Sequence, residues 1–163
     1  MVLVYLSGPI IISENRRDDF YRAVIQTLEG KGFEVFAPQF LPPAEPVEIY
    51  RRDVEHVRKA DFVIAEISSP SHGVGMEIML AIEMEKPLLL FHHENAGRIS
   101  KMVTGSTGVA IFEYRSTEEV VAILRSINLE ELKVLKCPSC HSQIAARSNG
   151  NSWCVSCGSE VPE

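Results

Sequence analysis

Positive charge is scarce in this chain: 16 Lys and Arg face 22 Asp and Glu, for a net charge of −6 at pH 7. Proteins that hold duplex nucleic acid do so largely by neutralising phosphates. A nucleic-acid partner is therefore not expected, and anionic ligands must be small and locally bound. Long apolar runs are missing too, since no stretch reaches the roughly 20 residues that a membrane span requires. The apolar opening MVLVYLSGPIIIS has no basic leader and carries an early Gly-Pro, so it does not read as a signal peptide. No membrane partner is expected. Cysteine is absent until residue 137, and all four cysteines then fall between 137 and 157 as two Cys-x-x-Cys pairs. That clustering argues against scattered disulfides and for metal in a reducing compartment, with the cytoplasm as the expected location. Internal repeats and low-complexity segments are absent as well.

What is present is the balance of a globular protein. The chain has 163 residues, of which 45% are hydrophobic and 23% charged. This is enough for one domain with a proper core and a small appendage. VLVYL (2–6), FEVFAP (33–38), DFVIAEI (61–67), KPLLLFHH (86–93) and GVAIFEY (108–114) read as strands. Helical spacing is expected over about 15–30, 46–60, 75–85 and 117–133, and the proline-rich QFLPPAEPVE reads as a loop. Strand and helix alternate throughout. The implied fold class is α/β, a doubly wound five-stranded parallel sheet of flavodoxin or Rossmann type. Past Lys133–Lys136 the composition turns to Ser, Asn, Gly and Cys, which sets the expected domains at 1–134 and 135–163.

CPSC (137–140) and CVSC (154–157) are separated by 13 residues that include SNGNS. Cys137, Cys140, Cys154 and Cys157 fit a tetrahedral four-thiolate zinc ribbon, in which the metal supplies folding energy to a segment too short for its own core. The expected cofactor is thus a structural Zn2+, with none for catalysis. Iron in a rubredoxin-like site and redox-active disulfides are the other readings of this spacing. His141 is a spare ligand beside a shell that four thiolates already fill.

In open α/β sheets, ligands bind beyond the carboxyl ends of the strands. Ser7-Gly8-Pro9, SSPSHGVG and HHENAGRIS fall there. Gly73 and Gly75 permit close backbone approach, Ser71 adds a hydroxyl, and the following helix N-terminus offers free N–H groups to an anion. Glu77 is the unusual residue. Around a helix its neighbours are Leu80, Ala81 and Met84, and a start at Gly75 puts it in the first turn, where the dipole favours a carboxylate. From position alone it is either a dipole-complementing glutamate or a nucleophile facing a crevice. Asp53 lies beside Val54 and Val57 on the inward side of its helix, as a second carboxylate for the crevice or as a solvated or ion-paired residue. Tyr5 is a candidate hydroxyl at the same place, or a core aromatic. Ile78, Met79 and Ile82 make the Glu77 helix apolar nearly all round, so its far side is expected to meet a partner subunit.

Together, VYLSGPI, RRDVEHVRKADFVIAEISSPSHGVGMEIMLAIEMEKPLLLF and GRISKMVTG resemble the nucleoside 2-deoxyribosyltransferase superfamily. The likeness is strongest to its 2′-deoxynucleoside 5′-phosphate N-hydrolase branch and spans most of residues 2–115. It implies a homodimer or larger assembly acting on a deoxynucleoside or deoxynucleotide by double displacement at C1′. In that scheme Glu77 is the nucleophile, Asp53 contacts substrate and assists departure of the base, and Tyr5 orients Glu77. Ser71 and Ser100 would hold a 5′-phosphate, the latter from the neighbouring subunit. Ser7, Gly8, Gly73, Gly75 and Arg98 complete the implied substrate contacts. One feature departs from the hydrolase branch: the loop after the first strand is SGPIII, closer to the transferase style than to a polar, Arg-containing one. Arg16, Arg17 and Arg98 are the available substitutes. Water resolving the glycosyl-enzyme makes the protein an N-hydrolase, a second base makes it a transferase, and a non-catalytic nucleotide binder is the third reading.

Overall fold

The computed structural model describes residues 1–163. Its first unit is a five-stranded, all-parallel sheet in the order β2-β1-β3-β4-β5. The strands are β1 (Leu3–Ser7), β2 (Glu34–Phe36), β3 (Phe62–Glu66), β4 (Leu88–His93) and β5 (Val109–Tyr114). All five residues of β3 are buried, as expected of a central parallel strand covered on both faces. The helices are α1 (Asp18–Gly30), α2 (Pro46–Lys59), α3 (His72–Glu83), the short α4 (Lys101–Thr104) and α5 (Thr117–Ser126). The order reverses at β1, so the crevice between the exits of β1 and β3 is the switch point where such folds bind ligands.

Two core layers flank the sheet. Phe20, Tyr21, Val24 and Leu28 of α1 and Val120 and Leu124 of α5 pack on one face with Leu6, Ile64, Phe91 and Phe112. On the other face Val57 of α2 and Val74, Ile78 and Ala81 of α3 pack with Tyr5, Val63, Ala65 and Leu90. Alternate residues of β1 and β3 therefore serve opposite layers.

Three boundaries differ from the spacing. Ser13–Asn15 forms a 3-10 turn, so α1 begins at Asp18. α3 begins at His72 rather than Gly75, because the Ser71 hydroxyl accepts the Val74 N–H and caps the helix there. Neither Gly73 nor Gly75 adopts a positive φ, and both lie within the helix. α5 stops at Ser126, well short of 133. A 3-10 turn over Leu129–Glu131 follows, and Asn128 donates its amide to the Arg147 carbonyl at 2.8 Å. The apolar pattern beyond Ser126 belongs to that turn and to a strand.

A second, antiparallel sheet takes in β6 (Leu132–Val134), β7 (Ile144–Ser148) and β8 (Asn151–Cys154) in the order β6-β7-β8. Asn149 and Gly150, with φ of 51° and 84°, make the β7–β8 turn, as an Asn-Gly pair favours. The sheet is fastened to the α/β unit in two ways. Ile144 and Ala146 join the core layer beneath α1 and α5. Gln143 donates its backbone N–H to Val109, accepts the Gly108 N–H at 3.1 Å and donates its side-chain amide to Ser106. No helix is long and apolar enough to cross a membrane.

Candidate active site

β1 supplies two hydroxyls to one carboxylate. Tyr5 and Ser7 are two residues apart on a strand, so the pleat sends both side chains to the α3 face. The Tyr5 hydroxyl donates to Glu77 Oε1 at 2.9 Å, and the Ser7 hydroxyl donates to Oε2. Both β1 residues are fully buried. Burial pushes the Glu77 carboxyl up to about 7, against a lowering by the Ser7 and Tyr5 hydrogen bonds and a smaller raise from the charge of Asp53. Burial likewise pushes the Tyr5 phenol far up, with the charges of Glu77 and Asp53 adding to it. Tyr5 is therefore a neutral donor throughout the working pH range.

Because α3 begins at His72, Glu77 sits in the second turn rather than the first, beyond the strongest part of the helix dipole. Dipole complementation does not account for it; the two hydroxyls do. Its carboxyl is held ready to ionise near neutrality, where a nucleophile or a cation-stabilising group operates.

Asp53 is buried on α2, and its Oδ1 accepts from the neighbouring Arg52 Nε at 2.8 Å. Of the two readings of Asp53, crevice carboxylate and solvated or ion-paired residue, the structure shows the ion pair. Arg52 also lies over the Phe36 ring at 5.8 Å, and His56 stacks on that ring at 3.7 Å. Phe36 in turn meets Tyr5 at 5.5 Å between centroids. This aromatic wedge packs α2 against β1 and β2, and the charge of Asp53 is felt at both Tyr5 and Glu77. Arg52, Phe36 and His56 are not among the sequence-derived candidates; Arg52, adjacent to Asp53 in RRD, is the one with a signal in the sequence.

The other sequence-derived candidates divide. Ser71 caps α3, with its hydroxyl accepting from Val74 at 3.4 Å. Gly75 has open space where a Cβ would stand, and a Cβ at Gly73 would meet only the Ser71 hydroxyl at 4.0 Å. Gly8 is buried, and a Cβ there would fall 2.1 Å from the Tyr21 hydroxyl, so packing against α1 requires the glycine. Arg98 is exposed and makes no ion pair. Ser100 is exposed and caps α4, accepting from Met102 at 3.2 Å. Neither reaches the Tyr5–Ser7–Glu77 cluster within this chain. Of the candidate arginines, Arg16 is tied to Asp18 and to the Gln39 carbonyl, at 3.0 and 3.1 Å. Arg17 approaches Glu66 at 3.8 Å.

The four cysteines converge, their sulfurs all within 4.8 Å of one another. Cys137–Cys157 and Cys140–Cys154 are 3.6 Å apart, far longer than a disulfide. A tetrahedron with metal–sulfur bonds of about 2.3 Å has edges of about 3.8 Å, so the set fits a zinc-sized ion. Backbone N–H groups of Ser139, Ser142 and Ser156 point at Cys137, Cys140 and Cys154, the arrangement that supports thiolate charge.

The sequence model of the family described as nucleoside 2-deoxyribosyltransferase matches residues 4–129. A Methanosarcina mazei protein named "Putative 2'-deoxynucleoside 5'-phosphate N-hydrolase 1" is 31% identical over 140 residues, covering 81% of this chain and 84% of that one. The 5-hydroxymethyl-dUMP N-hydrolase of Mus musculus is 37% identical over 79 residues, 47% of this chain and 46% of its own. The chain thus spans about half the length of some curated relatives and most of others. Among solved structures, a Clostridium botulinum CMP N-glycosidase aligns with a TM-score of 0.59 at 23% identity, over 76% of this chain and 98% of that one. A Leishmania mexicana 2-desoxiribosyltransferase gives 0.57 at 20%, over 79% and 100%. These two show a shared fold. The family match covers nearly all of the parallel sheet, helices α2 and α3 and the Tyr5–Ser7–Glu77 cluster, and the chain belongs to the nucleoside 2-deoxyribosyltransferase family.

Proposed function

We propose that this protein cleaves the N-glycosidic bond of 2′-deoxyribonucleoside 5′-monophosphates, with water resolving a deoxyribosyl-Glu77 intermediate. The carrying observation is the Glu77 carboxyl gripped by the Tyr5 and Ser7 hydroxyls at the switch-point crevice, with Asp53 alongside. Loss of the base leaves oxocarbenium character at C1′, and the Glu77 carboxylate adds to that carbon as the C1′–N bond breaks. The electron pair of the broken bond goes to the base, which is then protonated. Asp53, with Arg52 as its counter-charge, is proposed to assist by holding a water that gives the base this proton, and the proton shed by the water that later attacks C1′ makes up for it. Attack of water at C1′ then releases the sugar and restores the carboxylate. Ser71 is proposed for the phosphate end of the substrate, with Arg98 and Ser100 reaching it from a second copy of the chain.

A homodimer is proposed through α2 and α3, where Tyr50, Met76 and Met79 stand 60, 60 and 48% exposed. Residues 135–163 are proposed as a structural Zn2+ module of a protein working in the cytoplasm, where thiols stay reduced. A second reading, base transfer, is favoured by the exit loop of β1. Pro9 is followed there by Ile10, Ile11 and Ile12, all exposed and none able to hold an anion.

Chromatography of products from dGMP and deoxyinosine, with and without free adenine, tests the proposal. Free guanine from dGMP supports hydrolysis, and deoxyadenosine formed from adenine supports transfer. No turnover of either substrate, or full activity in Glu77→Ala, overturns both.

A further inference from the structure

A buried carboxylate besides Glu77 and Asp53 lies at the same edge of the sheet and takes no part in the chemistry above. Glu66, the last residue of β3, is 1% exposed and points to the α1 side, opposite Glu77. Its Oε1 accepts the Ser68 backbone N–H at 2.6 Å, and its Oε2 accepts the Tyr114 hydroxyl from the end of β5. The Arg17 guanidinium approaches Oε2 at 3.8 Å from the segment leading into α1. Ser68 is held again from β4, since its hydroxyl accepts the His93 N–H at 2.8 Å. Glu66 and Ser68 together therefore tie the exits of β3, β4 and β5 to the loop that leads into α3.

That loop is short and stiff. Between Ser68 and the α3 cap Ser71 lie only Ser69 and Pro70. Proline fixes its own φ and restricts the residue before it to extended conformations. A displacement at Ser68 is thus passed to Ser71 with little absorbed on the way. The anion-facing part of the crevice, made of the Ser71 hydroxyl and the first N–H groups of α3, is set by where Glu66 holds Ser68. A buried carboxylate near an incoming phosphate is unfavourable unless its charge is offset, and Arg17, at 32% side-chain exposure, stands where it does so.

We propose that Glu66 is a positioning residue for the phosphate end of the substrate, setting the preference for 5′-monophosphates over nucleosides by fixing the Ser68–Ser71 loop. This rests on the N-glycosidase reading for its substrate class. Isothermal titration of the full-length protein with dGMP and deoxyguanosine, in a Glu77→Gln background that leaves the ligand intact, with position 66 as wild type, Glu66→Ala or Glu66→Gln, separates phosphate positioning from a general effect on binding.

With Glu66 in place, this background is expected to bind dGMP more tightly than deoxyguanosine. Glu66→Ala is expected to weaken dGMP binding about tenfold, the size of one charge-assisted hydrogen bond. Its deoxyguanosine affinity is expected to stay within about twofold of that with Glu66 in place. Glu66→Gln, which keeps an acceptor for Ser68, restores dGMP binding to within about threefold. If circular dichroism finds Glu66→Ala unfolded, Tyr114→Phe takes its place and is expected to weaken dGMP selectively by about threefold. Equal weakening of both ligands, no change in the folded variant, or no preference for dGMP with Glu66 in place overturns the inference. Selective dGMP binding in this background, with no guanine released from dGMP by the wild-type protein, overturns the glycosidase reading and leaves the role of Glu66 standing.

Discussion

Glu77 carries opposing demands on stability and activity. Its carboxyl is raised from an ordinary 4.5 to about 7 in the folded chain. A raised acid contributes stability that is complete below the unfolded value and is lost as pH climbs through the folded one. Between about pH 4.5 and 7 the folded state therefore loses this contribution, on the order of 1–3 kcal/mol by pH 8. Glu77→Gln is expected to abolish turnover while raising the melting temperature at pH 8 by several degrees. The gap should close toward pH 5, and calorimetry at the two pH values checks it.

On the proposed mechanism the same carboxyl sets the rate profile. Nucleophilic attack needs the ionised form, so kcat/KM is expected to rise with pH through a limb near 7. Ser7→Ala removes a hydrogen bond that lowers the Glu77 value. It is expected to move that limb upward and to cut kcat/KM at pH 7 about tenfold or more. A profile of unchanged midpoint in Ser7→Ala counts against the cradle as the tuning device. Tyr5 and Glu77 were legible as candidates because a hydroxyl and a carboxylate interrupt apolar runs, and Asp53 because it lies beside Val54 and Val57 on its helix. That Ser7 serves Glu77 directly was not, since it depends on β1 and α3 meeting across a sheet layer.

At the level of elements, the register of α3 decides which groups would face the proposed phosphate. Three residues of difference in its start turn Gly73 and Gly75 from loop hinges into helix, and turn Ser71 into the cap. The sequence cue was ambiguous because two glycines near a helix start read equally well as a turn, while Ser-x-x-Val makes no strong capping box. Ser71→Ala is expected to cost about 1 kcal/mol of stability through the lost cap. It is also expected to raise KM for a 5′-monophosphate more than for its nucleoside, which thermal melts and paired kinetics measure. The five parallel strands, by contrast, were legible from their apolar runs and turn residues. The end of α5 was not, because Ile127 and Leu129 continue its apolar pattern while serving a 3-10 turn that feeds the second sheet.

Across the whole molecule, the cysteine segment is joined to the sheet by apolar packing as well as by the Gln143 bonds. The Cys-x-x-Cys spacing announced the cluster, but nothing in it foretold that Ile144 and Ala146 would share the core of the α/β unit. Metal analysis is expected to find one zinc per chain, and Cys154→Ser to abolish that stoichiometry. Stripping the metal with a chelator is expected to loosen β7 and β8 first, seen as loss of amide protection at Ala145 and Ser152, before β3 exchanges. Uniform exchange across both sheets would show instead a single cooperative unit.

The contact between Gly8 and Tyr21 has a practical meaning for remodelling this protein. The Tyr21 hydroxyl fills the space beside Gly8 and donates to the Pro9 carbonyl at 2.9 Å, so the first two residues leaving β1 are mortgaged to the core. The three exposed isoleucines after them are not. A loop graft that gives this scaffold a cationic phosphate cradle has its permissible junction after Pro9, and a graft that begins one residue too early breaks the seat of α1 before it changes any preference for substrate.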